Sequence, residues 1–163
     1  MAVQQIIELL RQKVNFEYPT TVRFQCTKCG ICCGDIIERT RHIILLETEA
    51  EQISKITSQP ISKFALKIEN KAPYVYEMKK RAADRKCVFM ENNRCIIYPL
   101  RPLICRFYPF ELKSGDNGKH QFLFTKECPG IKKGQKLSEN HFRKMFRLAQ
   151  AKHRQPADSN GES

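Results

Sequence analysis

The sequence predicts an α+β fold: a small, irregular single domain flanked by N- and C-terminal helices. Three observations predict it. The chain has 163 residues, of which 41% are apolar, which suits one ordinary domain burying roughly 70% of its unfolded surface. Amphipathic 3.6-residue periods stand near both ends, while the stretch between them holds only short apolar segments punctuated by proline. Eight cysteines fall in that middle stretch, four of them in Cys26-Thr-Lys-Cys29-Gly-Ile-Cys32-Cys33. Thiolates three residues apart on a tight turn can converge on one metal. The irregular middle is therefore expected to be organised around a cysteine-ligated metal centre.

Each element has a local reason. Val3, Ile6, Ile7, Leu10 and Val14 share one helical face, which predicts an N-terminal amphipathic helix within residues 1–20, stopped by Pro19. A cysteine-cluster domain over residues 21–135 begins with Thr21-Val-Arg-Phe-Gln25 as a short strand. His42-Ile-Ile-Leu-Leu46 reads as a buried strand. Thr48 is expected to open a helix, with Glu51 completing a Thr-x-x-Glu capping box and Ala50, Ile53 and Ile56 on the apolar face. Pro60 breaks that pattern, and a second short helix runs through Phe64 and Ala65. Tyr74-Val-Tyr-Glu-Met78 reads as a strand.

The downstream cysteines fall mostly in short or irregular elements. Phe107 to Leu112 and His120 to Thr125 are expected to be two strands, joined through an Asn117-Gly118 turn that needs positive φ. Residues 136–154 form a basic C-terminal helix from the N-cap Ser138, burying Phe142, Met145, Phe146 and Ala149. Residues 155–163 are polar and expected to be disordered.

Composition excludes several classes. Cysteine is about 5% of the chain, below the ~8–10% of a disulfide-built secreted scaffold. The N-terminus carries Gln and Glu inside its apolar stretch and no small-residue cleavage site, so it does not read as a signal peptide. No run approaches the ~18 apolar residues of a membrane span. A cytoplasmic chain is expected, its thiols reduced and available to metal rather than paired in disulfides. The formal net charge is +12, which eight thiolates and two divalent ions would lower to about +8. Between Ile131 and Gln155, eight Lys and Arg face one acid, Glu139. Such a helix could attract nucleic acid or an acidic protein partner, but a solvated, solubilising face is the simpler reading.

Cys26, Cys29, Cys32, Cys33, Cys87, Cys95, Cys105 and Cys128 are the candidate metal ligands. Cys26, Cys29 and Cys32 form C-x2-C-x2-C, a loop that can wrap an iron–sulfur cube, but no fourth cysteine follows nearby in register. Cys128-Pro129 offers a remote one. Cys33 is the odd member: adjacent side chains are expected to diverge, so Cys32 and Cys33 point to two neighbouring centres, or to one ligand and one reactive thiol. Zinc also fits, since Cys26 and Cys29 make a C-x2-C knuckle. The downstream spacings, seven residues between Cys87 and Cys95 and nine between Cys95 and Cys105, suit long-range convergence and favour iron–sulfur over a zinc ribbon. Lys28, Lys86, Arg94 and Arg106 each flank a cysteine, little more often than so basic a chain would give by chance.

Pro99, Pro102 and Pro109 stiffen the segment that carries Cys95 and Cys105. Tyr98, Phe107, Tyr108 and Phe110 could wall a site from water, or serve simply as core aromatics. His42, His120, His141 and His153 lack metal-ligand spacing to any cysteine and read as surface or packing residues. Glu47 with Glu49 is better explained by helix starting than by acid–base chemistry.

These motifs, taken in order, resemble the YkgJ-type cysteine-cluster family of zinc- or iron-chelating domains. Cys26-Thr-Lys-Cys29-Gly30-Ile-Cys32-Cys33 is similar to its CxxCGxCC signature, and Cys87-Val-Phe-Met90 to its CxFL element, with Met90 in place of Leu. Cys95-Ile-Ile-Tyr98, Arg101-Pro102 and Cys105-Arg106-Phe-Tyr-Pro109-Phe110 resemble CxIYxxRPxxCRxYPF, and Cys128-Pro129-Gly130-Ile131 resembles the closing CxGI. The resemblance covers roughly residues 24 to 134 and implies metal binding by these eight cysteines. Members are often labelled iron–sulfur oxidoreductase-like, and a similar domain occurs in flagellin-lysine methylases. No glycine-rich nucleotide loop is evident here, so methylase activity is not carried over.

Two readings of function follow. In the first, the cysteines hold iron, as an iron–sulfur centre, for redox or electron-transfer work with a redox partner. In the second, they hold zinc structurally, and the basic helix meets nucleic acid or a protein partner. Whether the chain is an enzyme stays open at this stage.

Overall fold

The computed structural model describes residues 15–153; the expected helix through Val14 and the expected polar tail lie outside the described residues. Two apolar cores organise the chain, each under its own small sheet. The first gathers Ile43, Leu45, Ala50, Ile53, Phe64, Met78, Phe89, Met90 and Ile97, with Cys87 inside it. The second gathers Val22, Leu103, Phe107, Phe110, Phe122, Phe142, Phe146 and Ala149.

The first core lies against strands β3 (Ile44–Leu46), β4 (Ala65–Lys67) and β5 (Tyr74–Met78), antiparallel in the order β3-β5-β4. Helix α1 (Glu47–Thr57) follows β3 directly and buries Ala50 and Ile53. The expected Thr48–Glu51 capping box does not form. The cap lies two residues earlier, with Leu46 at the N-cap, and the Glu49 carboxylate accepts the Leu46 N–H at 3.0 Å. Leucine has no side-chain oxygen to return the bond, so the cap is one-sided, and Thr48 Oγ1 has no hydrogen-bond partner. Ile56, placed on the apolar face by periodicity, is exposed, because the helix ends at Thr57 and Ser58 turns left-handed. Helix α2 is the single turn Ile61–Phe64. Ala65 is not in it but begins β4, whose pairing with β5 overrides any local helical preference.

The second core is covered by β8 (Phe110–Ser114) and β9 (His120–Phe124), an antiparallel hairpin, with β1 (Phe16–Glu17) added parallel to β9. Gly118 sits at φ +73 in the hairpin turn, as Asn117-Gly118 predicted. Residues 16–17 are thus extended rather than part of a helix reaching Pro19. Two further ladders stand apart: β2 (Arg23–Phe24), inside the strand expected over Thr21–Gln25, pairs with the unexpected strand β10 (Ile131–Lys136), and the hairpin β6 (Met90–Glu91) with β7 (Arg94–Cys95) has no counterpart in the sequence reading. The second turns on Asn92 and Asn93, both at positive φ, which asparagine tolerates better than most residues.

Helix α3 (Leu103–Phe107) replaces the start of the strand expected from Phe107. Pro102, locked near a helical φ and lacking an N–H, suits a helix start, whereas Pro109 cannot continue the turn, so the strand begins only at Phe110. This helix joins the cores: Leu103 and Phe107, one turn apart, enter the second, while Ile104 and Cys105 pack on the first. Helix α4 (Glu139–His153) closes the second core with Phe142, Phe146 and Ala149. Its predicted cap holds, with the His141 N–H donating to Ser138 Oγ at 3.3 Å. Among the described residues, no helix is long and apolar enough to cross a membrane.

Candidate metal centre

The cysteine loop is shaped by backbone before any side chain acts. Lys28 and Gly30 both take left-handed φ, and Ile31–Cys33 then forms one 3-10 turn. The turn sets Cys32 and Cys33 side by side with their sulfurs 3.8 Å apart. The expected divergence of these neighbours is therefore not what the chain adopts. Extended backbone turns adjacent side chains to opposite faces, whereas a 3-10 turn separates them by only about 120°, close enough for these two thiols to meet.

Two glycines then let the loop touch the distant segments. Gly34 pairs with Lys86 across an isolated bridge, and the Cys87 N–H donates to the Cys33 carbonyl at 2.6 Å. A Cβ on Gly34 would stand 2.6 Å from the Arg85 carbonyl oxygen and 2.9 Å from Lys86 Cα, both backbone and unable to swing aside. At the other end the Gln25 N–H donates to the Gly130 carbonyl at 3.1 Å, and a Cβ on Gly130 would lie 2.5 Å from the Gln25 carbonyl oxygen. Cys33 is thereby fixed beside Cys87, and the strand entering Cys26 is fixed beside Cys128-Pro129-Gly130. Gly34→Ala is expected to cost about 1–3 kcal/mol by forcing these backbones apart, and to weaken metal retention in parallel. Chemical denaturation and metal titration of the variant check both; wild-type values in each would contradict this account.

Basic side chains clasp the loop through its carbonyl groups. Arg41 Nε donates to the Cys32 carbonyl at 3.1 Å and Nη2 to the Ile104 carbonyl at 3.4 Å, tying the loop to α3. Arg39 donates to the Ile31 carbonyl at 3.0 Å and the Gly34 carbonyl at 3.3 Å, with its Nε 2.8 Å from Glu127 beside Cys128. Asp35 receives Lys80 Nζ at 2.5 Å, Arg85 Nε at 3.1 Å and the Arg41 N–H at 2.7 Å. These partners hold its carboxyl well below the usual carboxylate range. The Cys95–Cys105 segment stiffens itself: Arg106 donates to the Arg101 and Pro99 carbonyls at 2.8 and 2.7 Å, and Arg101 lies over the Tyr98 ring at 3.5 Å.

The eight thiols fall into two neighbourhoods. Cys33, Cys95 and Cys105 pack on the first core beside buried Cys87, where these sulfurs and Cys32 feel one another's charge. Cys128 feels Cys29 most strongly among the sulfurs, then Cys32, and Cys26 lies on the same strand exit with its sulfur 3.4 Å from the Lys28 N–H. Burial pushes the Cys87 thiol up to about 11 and the Cys105 thiol up to about 12, and raises Cys95 and Cys128 as well. The hydrogen bond from Cys33 draws Cys32 down to about 6, and Cys33 rises correspondingly. All eight are free cysteines.

Among the described residues, no three His, Cys, Asp or Glu side chains already form a metal shell. The donor set nevertheless fits a thiophilic cation. Thiols held neutral by burial ionise when a cation replaces their protons. The Cys32–Cys33 separation of 3.8 Å also matches the edge, about 3.8 Å, of a tetrahedron with metal–sulfur bonds of ~2.3 Å.

The match to known proteins agrees with this donor set. Residues 25–145 match the profile of the CxxCxxCC family, described as "Putative zinc- or iron-chelating domain". The chain belongs to the CxxCxxCC family. A relative from Methanocaldococcus jannaschii, the "Uncharacterized protein MJ0661", is 29% identical over 140 residues, covering 81% of this chain and 72% of its own. No solved structure matches.

The four histidines stand apart from the cysteines of this CxxCxxCC domain. His42 Nδ1 and Glu77 Oε1 are 2.7 Å apart, His120 Nδ1 and Ser114 Oγ 2.9 Å, and His153 meets the Tyr74 ring. His141 lies against Phe110 and Phe142, where burial lowers its pKa. Sequence reasoning placed Glu49 at a helix start, which holds, but missed that it also accepts the Leu103 N–H at 2.7 Å and so fixes the helix that carries Cys105. Its only sequence signal is an acid in the first turn of a helix, which many surface carboxylates share.

Proposed function

We propose that this CxxCxxCC domain is a cysteine-cluster metalloprotein that holds iron through Cys26, Cys29, Cys32, Cys33, Cys87, Cys95, Cys105 and Cys128, works in the reducing cytosol, and passes electrons to a redox partner. One observation carries the reading. Four separate stretches of chain return to the Cys26–Cys33 loop, held by direct backbone contacts at Gly34 and Gly130 and by Arg39 and Arg41. Packing on the first core brings some of these segments together, and a shared metal would account for so many cysteines meeting there. The Cys32–Cys33 edge would supply two sulfurs, and Cys87, Cys95 and Cys105, on the same core, would be the candidates to complete a shell by changing rotamer. Cys26, Cys29 and Cys128 supply a second set. Bound iron, single or as an iron–sulfur cluster, would supply one-electron chemistry. The chain would tune it with an apolar wall of Phe89, Met90, Ile97 and Ile104 and with the nearby guanidinium of Arg41.

The 3.8 Å sulfur pair favours a second reading, in which two neighbouring thiolates share one structural zinc ion. In a [4Fe–4S] cube each iron takes a single terminal thiolate, so two cysteines on one metal do not fit that cluster. Anaerobic purification followed by an absorption spectrum and metal analysis decides between them. Iron reading predicts a brown protein absorbing near 400 nm, as iron–sulfur centres do, with stoichiometric iron. A colourless protein with stoichiometric zinc would sink the redox role and leave the structural one.

A further inference from the structure

We propose that the groove beside Cys128 binds a small organic anion, one whose phosphate, carboxylate or sulfonate group is joined to an apolar body. The groove encloses about 510 Å³, within the ~300–1,000 Å³ of small-molecule sites. Phe124 and Ile131 form part of an apolar floor, and Arg23, Lys126 and Lys132 supply three positive charges. No acidic residue lines it. The adjoining carboxylate, Glu127, is already engaged by Arg39 at 2.8 Å and by the Tyr108 hydroxyl at 2.9 Å. Among the described residues, Arg23, Lys126 and Lys132 take part in no ion pair.

Two of the cations are held by the fold. Arg23 Nε donates to the Gly134 carbonyl at 2.7 Å, which pins the guanidinium against β10, and among the described residues its terminal amino groups have no hydrogen-bond acceptor. Lys132 stands at φ +71 in a turn that the Lys133 N–H closes on the Gly130 carbonyl at 3.2 Å. A lysine held left-handed is uncommon, and such positions concentrate at functional sites. An inorganic anion would leave the apolar floor unused, and a neutral ligand would leave three cations unpaired. An anion with an apolar body satisfies both. Cys128 in the lining puts that ligand next to the second set of thiols. The proposal rests on the metalloprotein reading only for what the ligand does there, since anion binding itself needs no metal.

Titration of the metal-loaded full chain with anilinonaphthalene sulfonate, an aromatic anion that fluoresces when bound, tests the groove. A single saturable site is expected, with uncharged phenylnaphthylamine about tenfold weaker and phenyl phosphate displacing the dye more effectively than inorganic phosphate. Lys126→Glu combined with Lys132→Asn should weaken dye binding about tenfold or more, while Lys113→Glu on the β8–β9 hairpin should not. Circular dichroism and metal content of the double variant are expected to match wild type. Unchanged dye affinity in that variant, or equal binding of the neutral dye, overturns the proposal whatever the metal content. Wild-type protein lacking iron and zinc would overturn the metal reading instead and leave the dye result standing.

Discussion

Stripping the metal from the purified protein will unfold one half of it and spare the other. The first core contains Cys87 and is packed by Cys33, Cys95 and Cys105, whereas the second core contains no cysteine. Structural zinc contributes ~10–16 kcal/mol in small domains, comparable with the ~5–15 kcal/mol net stability of a whole domain. Losing it removes more than the first core can replace. After chelation, amide hydrogen exchange is expected to accelerate across residues 26–34 and 87–105, where short two- and three-residue elements depend on the cysteine contacts. Residues 110–124 and 139–153, a hairpin of two five-residue strands and a fifteen-residue helix around Phe122, Phe142 and Phe146, should keep most of their protection. Uniform protection after verified metal removal would show that the cysteines do not hold the fold together. Uniform loss would show instead that the two cores fold as one unit.

Glu49→Ala should be the most damaging substitution that touches no cysteine. The residue is 3% exposed and accepts two backbone N–H groups, from Leu46 at 3.0 Å and Leu103 at 2.7 Å. Removing the carboxylate leaves both donors buried and unpaired, at about 1–3 kcal/mol each, so a loss of about 2–6 kcal/mol is expected. The damage should reach the metal as well, because Leu103 begins the helix that carries Cys105. Equilibrium denaturation gives the first quantity and metal affinity at fixed pH the second. A variant within about 0.5 kcal/mol of wild type, the range of an ordinary surface substitution, would mean that water replaces the carboxylate and that the bridge is not structural.

Local patterns were legible wherever a short window contains the cause. The α4 cap at Ser138 and its buried face, the Asn117-Gly118 hairpin and the strands at Ile44 and Tyr74 follow from periodicity and turn chemistry. Failures cluster where two distant segments meet. Ala65 was assigned to a helix, but pairs with Met78 in a sheet. Residues Ile131–Lys136 read as a basic stretch, yet they form a strand because Phe24 lies opposite Ile131. Phe107 ends a helix rather than beginning a strand, since its ring fills the second core one turn after Leu103. Thr48 offered a better cap than Leu46 by composition, and Glu49 decided otherwise by bonding back to Leu46.

The sequence by itself determined the chemistry of the site: eight soft donors, their order along the chain, and a CxxCxxCC loop too poor in local ligands to close a metal shell alone. It also determined the family, whose profile matches residues 25–145 and so takes in all eight cysteines. Only the tertiary structure decided which sulfurs are neighbours. Cys32 and Cys33 were expected to diverge and instead meet at 3.8 Å within a 3-10 turn. Cys87, Cys95 and Cys105 join them in the first core, while Cys128 stands with Cys29. That partition depends on close approach at Gly34 and Gly130 and on arginines reaching carbonyl groups up to 63 residues away. Steric fit and hydrogen bonding over such separations leave no period or motif in any single stretch of chain, so they emerge only when the cores pack.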